Sequence, residues 1–357
     1  MDTQGNIWEH SKIKLELYRL YLERYLSVLL ATQFFNSIEI NDVFAGCGIA
    51  HNEEKGSALI AADVIAGITK ENNKFKKPVY LRLNDADQSS SQALTGLIKD
   101  YAFASVTCKD ANQYLQSWSP TPGRHNLYFI DPHGYTQVSV DNLKRIFSMD
   151  VCDFLIFIPL YHIYRFLRKE DDTEQLKPIA NFLRDLNIGE AEAKKAKTLE
   201  DFSELVLDAL QIISGTEWLY KELIRNRQYN STHALFFITR NILGAEKFLD
   251  AQYKLKEQSK ANQAQITFDF LEDVDARSVL SFVDLGRPYD NTQIFEIGIK
   301  AGLLPKQLNK QLKKFEEDGK ISVTAFAGKV RKQRGFYINY EKYKTKDRIV
   351  SIVFKKV

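Results

Sequence analysis

The stretch with the clearest chemical signature is Asp42-Val-Phe-Ala-Gly46-Cys-Gly48, which follows a short alternating run. A strand that ends in a tight turn of small residues lets a ligand lie against bare backbone. Gly46 and Gly48 permit that approach, Phe44 and Ala45 complete the turn, and Asp42 is placed to accept from an amino group, directly or through water. Three more acids arrive in order. Asp85 closes Val79-Tyr-Leu-Arg-Leu-Asn-Asp85, where a carboxylate suits ribose hydroxyls. Asp110, in Lys109-Asp110-Ala111, suits an adenine amino group and reads equally as a helix cap. Asp131-Pro132-His133-Gly134-Tyr135 ends a fourth strand, at the edge where a group would be handed over. Acids after four successive strands, with a glycine turn after the first, are what an adenosine and a methionine need. The expected cofactor is S-adenosylmethionine. The G-x-G-x-x-G spacing of nicotinamide enzymes and the Walker phosphate loop are both absent.

The same residues bound the acceptor chemistry. Amino-directed nucleic-acid methyltransferases use an Asp/Asn-Pro-Pro-aromatic turn, in which the acid accepts the amine hydrogens and the ring stacks on an extruded base. Here His133 and Gly134 stand between Pro132 and the aromatic Tyr135. Asp131 remains a hydrogen-bond acceptor for an amine and Tyr135 a stacking surface; His133 reads either as a general base or as a ring packed at a strand end. A C5-cytosine route needs a Pro-Cys nucleophile, and none of Cys47, Cys108 and Cys152 follows a proline. Cys47 reads as a small side chain under the cofactor. The cysteines show no metal-ligand spacing and read as reduced thiols of a cytosolic protein.

These residues need a scaffold, and the hydrophobic pattern supplies one. Residues 12–32 form an amphipathic helix with Leu15, Tyr18, Leu22, Tyr25, Leu26 and Leu29 on one face. Strands are predicted at Ser37–Asp42, Val79–Leu83, Ser105–Thr107, Leu127–Asp131 and Asp153–Pro159, with helices at Ala58–Ile68, Ser91–Tyr101 and Val140–Phe147 between them. Such alternation implies an α/β fold, a Rossmann-like parallel sheet of the class I methyltransferase kind covered on both faces. Residues 160–227 read as a helical insertion, with apolar stripes at Ile179–Leu186, Phe202–Ile213 and Glu217–Arg225; His233–Arg240 then returns as a strand. The first domain is expected to span residues 1–253, followed by a connecting segment over 254–289 that opens on the polar stretch Lys254–Ala264.

The net charge of +3 hides an asymmetry. From Gly302 to Val357 there are 15 Lys and Arg against 5 Asp and Glu, so the last 56 residues carry about +10 and the rest about −7. Asn291 or Thr292 can cap a helix through Ala301, Gly302 suits its left-handed end, and Pro305 suits the start of the next helix. Leu308, Leu312 and Phe315 make that helix's buried stripe; Lys320–Thr324 and Gly335–Asn339 read as strands around the basic loop Lys329–Arg334. Residues 290–357 are therefore expected to form a winged helix-turn-helix domain. Lys306, Lys310 and Lys313 on the helix, with Lys329, Arg331, Lys332 and Arg334 in the wing, are the expected nucleic-acid contacts, DNA above all. No run of eighteen apolar residues exists to span a membrane, and Met1-Asp2-Thr3-Gln4-Gly5 does not open a secretory leader.

The order of these motifs resembles the bacterial three-Cys-motif partner proteins, which are class I methyltransferase-like. The likeness runs from Lys14-Leu-Glu-Leu-Tyr-Arg-Leu-Tyr-Leu through the glycine turn and Lys55-Gly56-Ser57 to Phe129-Ile-Asp-Pro-His-Gly134. It resumes at Phe236-Phe-Ile-Thr-Arg-Asn-Ile-Leu-Gly-Ala-Glu-Lys-Phe248. The resemblance implies a C-terminal winged helix and a partner of the radical S-adenosylmethionine type, to which the three name-giving cysteines belong. The leading expectation is S-adenosylmethionine-dependent methyl transfer to an amine of a nucleic acid. The alternatives are a non-catalytic cofactor- and nucleic-acid-binding subunit of such a partner, and a methyltransferase of a protein or small molecule.

Overall fold

The computed structural model describes residues 9–50, 52–71, 77–167, 173–226, 231–261 and 278–355. Met1–Gly5 and residues 262–264 of the polar stretch lie outside them. The chain divides into two compact units, Met1–Arg240 with Ala251–Leu271, and Asn241–Asp250 with Glu272–Val357.

In the first unit, α1 (Glu9–Ala31) precedes β1 (Ser37–Asp42), and then strand and helix alternate. The order is α2 (Ser57–Glu71), β2 (Val79–Asp85), α3 (Gln88–Ile98), β3 (Ala104–Cys108), α4 (Ala111–Ser117), β4 (Arg124–Ile130), α5 (Val140–Phe147) and β5 (Cys152–Ile158). Four helices follow, α6 (Leu160–Leu167), α7 (Thr173–Asp185), α8 (Glu190–Lys195) and α9 (Leu199–Ser214). The last strands are β6 (Trp218–Asn226) and β7 (Ser231–Thr239); α10 (Ile242–Ala261), which follows, belongs to the second unit up to Asp250 and to the first from Ala251. The sheet runs β3-β2-β1-β4-β5-β7-β6, parallel except for β7, which is antiparallel to both neighbours. Strands β4 and β5 are buried along almost their whole length, and each ends in an apolar run, Leu127–Ile130 and Phe154–Ile158.

One expectation is overturned here. Glu217–Arg225 carries no helix; this stretch is β6, the edge strand paired with β7 from Trp218↔Thr239 to Asn226↔Ser231. What hid it is two adjacent buried charges where a strand normally alternates. Lys221 Nζ donates to Ser203 Oγ at 2.7 Å and pairs with Glu204 at 2.6 Å. Glu222 accepts from Gln252 Nε2 at 2.8 Å and lies 3.6 Å from Lys256.

In the second unit, β8 (Pro288–Asp290), α11 (Asn291–Lys300), α12 (Pro305–Glu317), β9 (Ile321–Ala325), α13 (Tyr340–Lys344) and β10 (Val350–Phe354) follow a short 3-10 turn at Val279–Phe282. The strands form an antiparallel sheet in the order β8-β10-β9. The cap of α11 is Asp290, which exchanges hydrogen bonds with Gln293 in a capping box, rather than Asn291 or Thr292. Asn291 is fully buried and donates to the carbonyls of Tyr337 and Asp347. Gly298 lets α12 pack on α11, since a Cβ there would lie 2.3 Å from Leu308 Cδ2. Gly335–Asn339 is not a strand. Gln333, Arg334 and Tyr337 sit at φ of 50°, 51° and 57°, which breaks extension, and the antiparallel partner of β9 is β10.

Candidate cofactor and transfer site

Neighbouring strands β1 and β4 pass to their next strands on opposite sides of the sheet, β1 toward β2 and β4 toward β5. That reversal opens a crevice at the carboxyl ends of the strands, where open α/β sheets bind ligands. Asp42 ends β1 and Asp131 follows β4 by one residue.

Asp42 is fully buried. Burial pushes its carboxyl up to about 7, and the charges of Asp131 and Asp85 push the same way against the Ser57 hydroxyl and the Phe44 N–H. Phe44 N–H donates to its Oδ1 at 3.2 Å, while Oδ2 has no hydrogen-bond partner. An unpaired buried carboxylate oxygen is costly, and a cation or a donor beside it removes the cost.

The two glycines differ. Gly46 has φ 62° and its missing Cβ would meet nothing within 4 Å, so that side of the turn is open. Gly48 has φ 85°, and a Cβ there would lie 2.8 Å from Leu94 Cδ1 and 3.1 Å from Leu97 Cδ1. Gly48 is a packing glycine; Gly46 faces space. Ala45, buried, donates its N–H to the Asn84 carbonyl at 2.8 Å, and Phe44 is half-buried against the core.

Asp85 has a role that spacing alone does not show. Its Oδ2 accepts from Gly46 N–H at 2.9 Å and its Oδ1 from Asp87 N–H at 2.9 Å. It therefore holds the glycine turn against the end of β2. Asn84 does likewise across three strand ends. Its amide donates to the Val43 and Lys109 carbonyls at 3.2 and 3.0 Å, and Thr107 donates to its Oδ1 at 3.0 Å. Asp110 caps α4, its Oδ1 accepting from Asn112 and Gln113 N–H at 2.9 and 3.3 Å.

Helix α1 brings residues that the motif reading did not place in the site. Tyr18 stacks on Phe129 with centroids 4.2 Å apart; its hydroxyl is buried without a partner, and burial followed by the charge of Asp42 pushes its pKa well up. Lys14 Nζ donates to Asp131 Oδ2 and lies 5.2 Å from the Phe157 ring centroid. Further along the helix, Tyr21 donates to Asp153 at 2.7 Å, and the Tyr25 hydroxyl lies 2.8 Å from His125 Nδ1. The signal was present as Lys14, Tyr18, Tyr21 and Tyr25 at helical spacing, because polar tips on a buried stripe require polar partners.

Of the remaining predicted residues, Pro132 is half-buried and His133 exposed. Gly134 N–H donates to Gln137 Oε1 at 3.0 Å, closing the turn. Tyr135 packs edge-on against Phe182 of α7, centroids 5.5 Å apart, and lines a groove of about 400 Å³ with Val138, Pro178, Lys177 and Asn181. Cys47 donates its thiol to the Ile49 carbonyl at 3.0 Å, and burial pushes the Cys152 thiol up to about 12. Among the described residues no His, Cys, Asp and Glu cluster could hold a metal ion, and no helix is long and apolar enough to cross a membrane.

The basic residues of the second unit divide sharply. Lys306 and Lys310 are exposed, and exposed Lys313 reaches Glu317 only at 4.0 Å. Arg331 forms a bidentate pair with Glu316 at 2.6 and 2.9 Å and donates to the carbonyls of Gly335 and Arg334. It is the clamp of the loop, not a free phosphate contact. Lys329 pairs with Asp347 at 3.2 Å, whereas Lys332 and Arg334 are exposed.

The sequence matches no protein-family model and no curated protein. Its fold is similar to solved structures. One, from Legionella pneumophila str. Philadelphia 1, is 14% identical with a TM-score of 0.43, covering 68% of this chain and 90% of that one. The plantazolicin methyltransferase BamL, in complex with a triazolic desmethylPZN analog and SAH, is 13% identical with a TM-score of 0.35, covering 65% and 86%. A precorrin-6y C5,15-methyltransferase from Geobacter metallireducens is 10% identical with a TM-score of 0.28, covering 60% and 87%. The substrates named there belong to those proteins. Strand order, with parallel β1 to β5 and a reversed β7, makes the seven-stranded sheet Rossmann-like.

Proposed function

We propose that this chain is an S-adenosylmethionine-dependent methyltransferase whose acceptor is an amine. The observation that carries the reading is Asp42 beside Gly46, a fully buried carboxylate with one unpartnered oxygen next to a turn that opens on space. The charges of Asp131 and Asp85 act on the buried Asp42, so a positive partner beside it is favoured. S-adenosylmethionine is a cation with an ammonium and a sulfonium, so the donor set fits it. When bound it supplies an activated methyl group. Asp42 would orient the ammonium, directly or through water. Asp85, already fixed by two backbone N–H groups, would present its remaining lone pairs to the ribose, and Asp110 its free side to the adenine amine. Asp131 would accept from the incoming amine, and the exposed His133 would stand at the entrance.

The nucleic-acid part of the reading rests on Lys306, Lys310 and Lys313, exposed on one helix, with Lys332 and Arg334 on the loop that follows. Helix, turn, helix and an antiparallel strand pair support a winged helix-turn-helix, and DNA is the polyanion we favour. A radical S-adenosylmethionine-type three-Cys-motif protein is the proposed partner. Incubating the purified chain with methyl-labelled S-adenosylmethionine and DNA, RNA or cell extract tests the acceptor. Label in DNA or RNA is expected; label confined to protein in the extract overturns the nucleic-acid reading. Calorimetric titration showing no S-adenosylmethionine binding overturns the cofactor.

A further inference from the structure

We propose that Lys14 is a methyl acceptor within the chain itself, because its Nζ is the amine that the fold places on Asp131. The inference rests on the cofactor reading above. Asp131 follows β4 at the transfer edge, and among the described residues the ammonium bound to it is that of Lys14, from 117 residues earlier in the sequence. The placement is enforced. One turn on, Tyr18 stacks on Phe129, two residues before Asp131, and the next turn is tied through Tyr21 to Asp153 of β5. Side chains of Lys14 and Asp131 are 15% and 21% exposed, so the pair is sheltered without being sealed. The Phe157 ring beside Nζ adds a reason for the product to stay. A methylated ammonium keeps its charge, has fewer donors to satisfy, and is well suited to an aromatic face.

The transfer balances with the groups named. Asp131 takes one proton from the Lys14 ammonium and exposes the Nζ lone pair. That pair forms the N–C bond while the bond between methyl carbon and sulfonium sulfur breaks, its electrons remaining on sulfur as a neutral thioether. Asp131 then releases the proton to water, and the methylated amine takes up another and pairs with it again.

The test uses the full chain with S-adenosylmethionine and no added acceptor, followed by peptide mass analysis. One or more methyl groups on Lys14 are expected, at a first-order rate unchanged by protein dilution, and absent at position 14 in Lys14→Arg. A second measurement needs no turnover. Acetic anhydride labels accessible lysines, and saturating SAH should slow labelling of Lys14 several-fold while leaving Lys306 unchanged. A wild-type chain that binds S-adenosylmethionine calorimetrically but gains no methyl at Lys14 overturns the proposal and leaves the cofactor reading standing. A rate that rises with protein concentration, or no protection by SAH, also overturns it.

Discussion

The edge at β1 and β4 and the basic loop at 329–334 both stand out in the sequence, yet their polar groups are deployed in opposite ways. At the edge, Asp42 Oδ2 and the Tyr18 hydroxyl are buried with no partner. In the loop, Arg331 and Lys329 are already engaged by Glu316 and Asp347. A buried polar group left unmatched beside an open turn fits a polar visitor, whereas half of a dense run of charge can be internal bracing. Charge density alone does not separate the engaged Arg331 and Lys329 from the exposed Lys332 and Arg334.

The largest effect that would sharpen this contrast is at Gly46. Gly46→Val should fold, with strain from its positive φ, and lose S-adenosylmethionine binding, because the new side chain projects into the open side of the turn. Gly48→Val should fail differently, by unfolding, since its side chain meets Leu94 and Leu97. Calorimetry and thermal melts separate the two; a folded Gly46→Val with wild-type affinity breaks the assignment.

Asp42 comes next. Its folded carboxyl is raised to about 7 from the usual 3.8, so the folded state retains a proton that the unfolded chain has released. The stabilisation is full below the unfolded value and is lost as pH rises through about 7. Asp42→Asn removes that loss and should gain up to about 4 kcal/mol over wild type near pH 8, while binding of the cofactor fails. A cationic ligand favours the ionised carboxyl, so wild-type affinity should strengthen by up to about tenfold per pH unit below about pH 7 and level off above it. A flat calorimetric profile from about pH 5 to about pH 8 contradicts this.

Arg331→Ala should destabilise the second unit by about 2 kcal/mol, by orphaning Glu316 and two carbonyls, whereas Lys332→Ala should leave stability unchanged. Equal melts for the two variants would show that the clamp does not hold the loop. The smallest effect concerns DNA binding. Neutralising Lys306, Lys310 and Lys313 should lower the slope of log affinity against log salt by about one for each phosphate no longer neutralised, and neutralising Lys329 by less. A slope untouched by all four rejects the nucleic-acid face.

The legible part of the fold was the part whose burial pattern is regular. Strands β4 and β5 announce themselves by the apolar runs Leu127–Ile130 and Phe154–Ile158, and α12 by Pro305, Leu308, Leu312 and Phe315. Strand β6 did not, because Lys221 and Glu222 break the alternation and their partners, Ser203, Glu204, Gln252 and Lys256, lie on other elements. In the site, the glycine turn could be read locally. That Asp85 braces this turn, and that Lys14 sits on Asp131, are tertiary facts joining residues 39 and 117 positions apart, which no local spacing encodes.

The polar face of α1 also has a consequence in time. Its anchors, Asp131, Asp153 and His125, lie 117, 132 and 100 residues downstream of Lys14, Tyr21 and Tyr25. At about 5–20 residues per second, ribosomal synthesis leaves the helix waiting for several seconds or more before β4 and β5 exist. During that interval α2 is available to pack against it, but Lys14, Tyr21 and Tyr25 lack the polar partners they meet in the finished fold. Until β5 is complete, the groups that fix the register of this helix on the sheet do not yet exist, although its own residues precede every strand described.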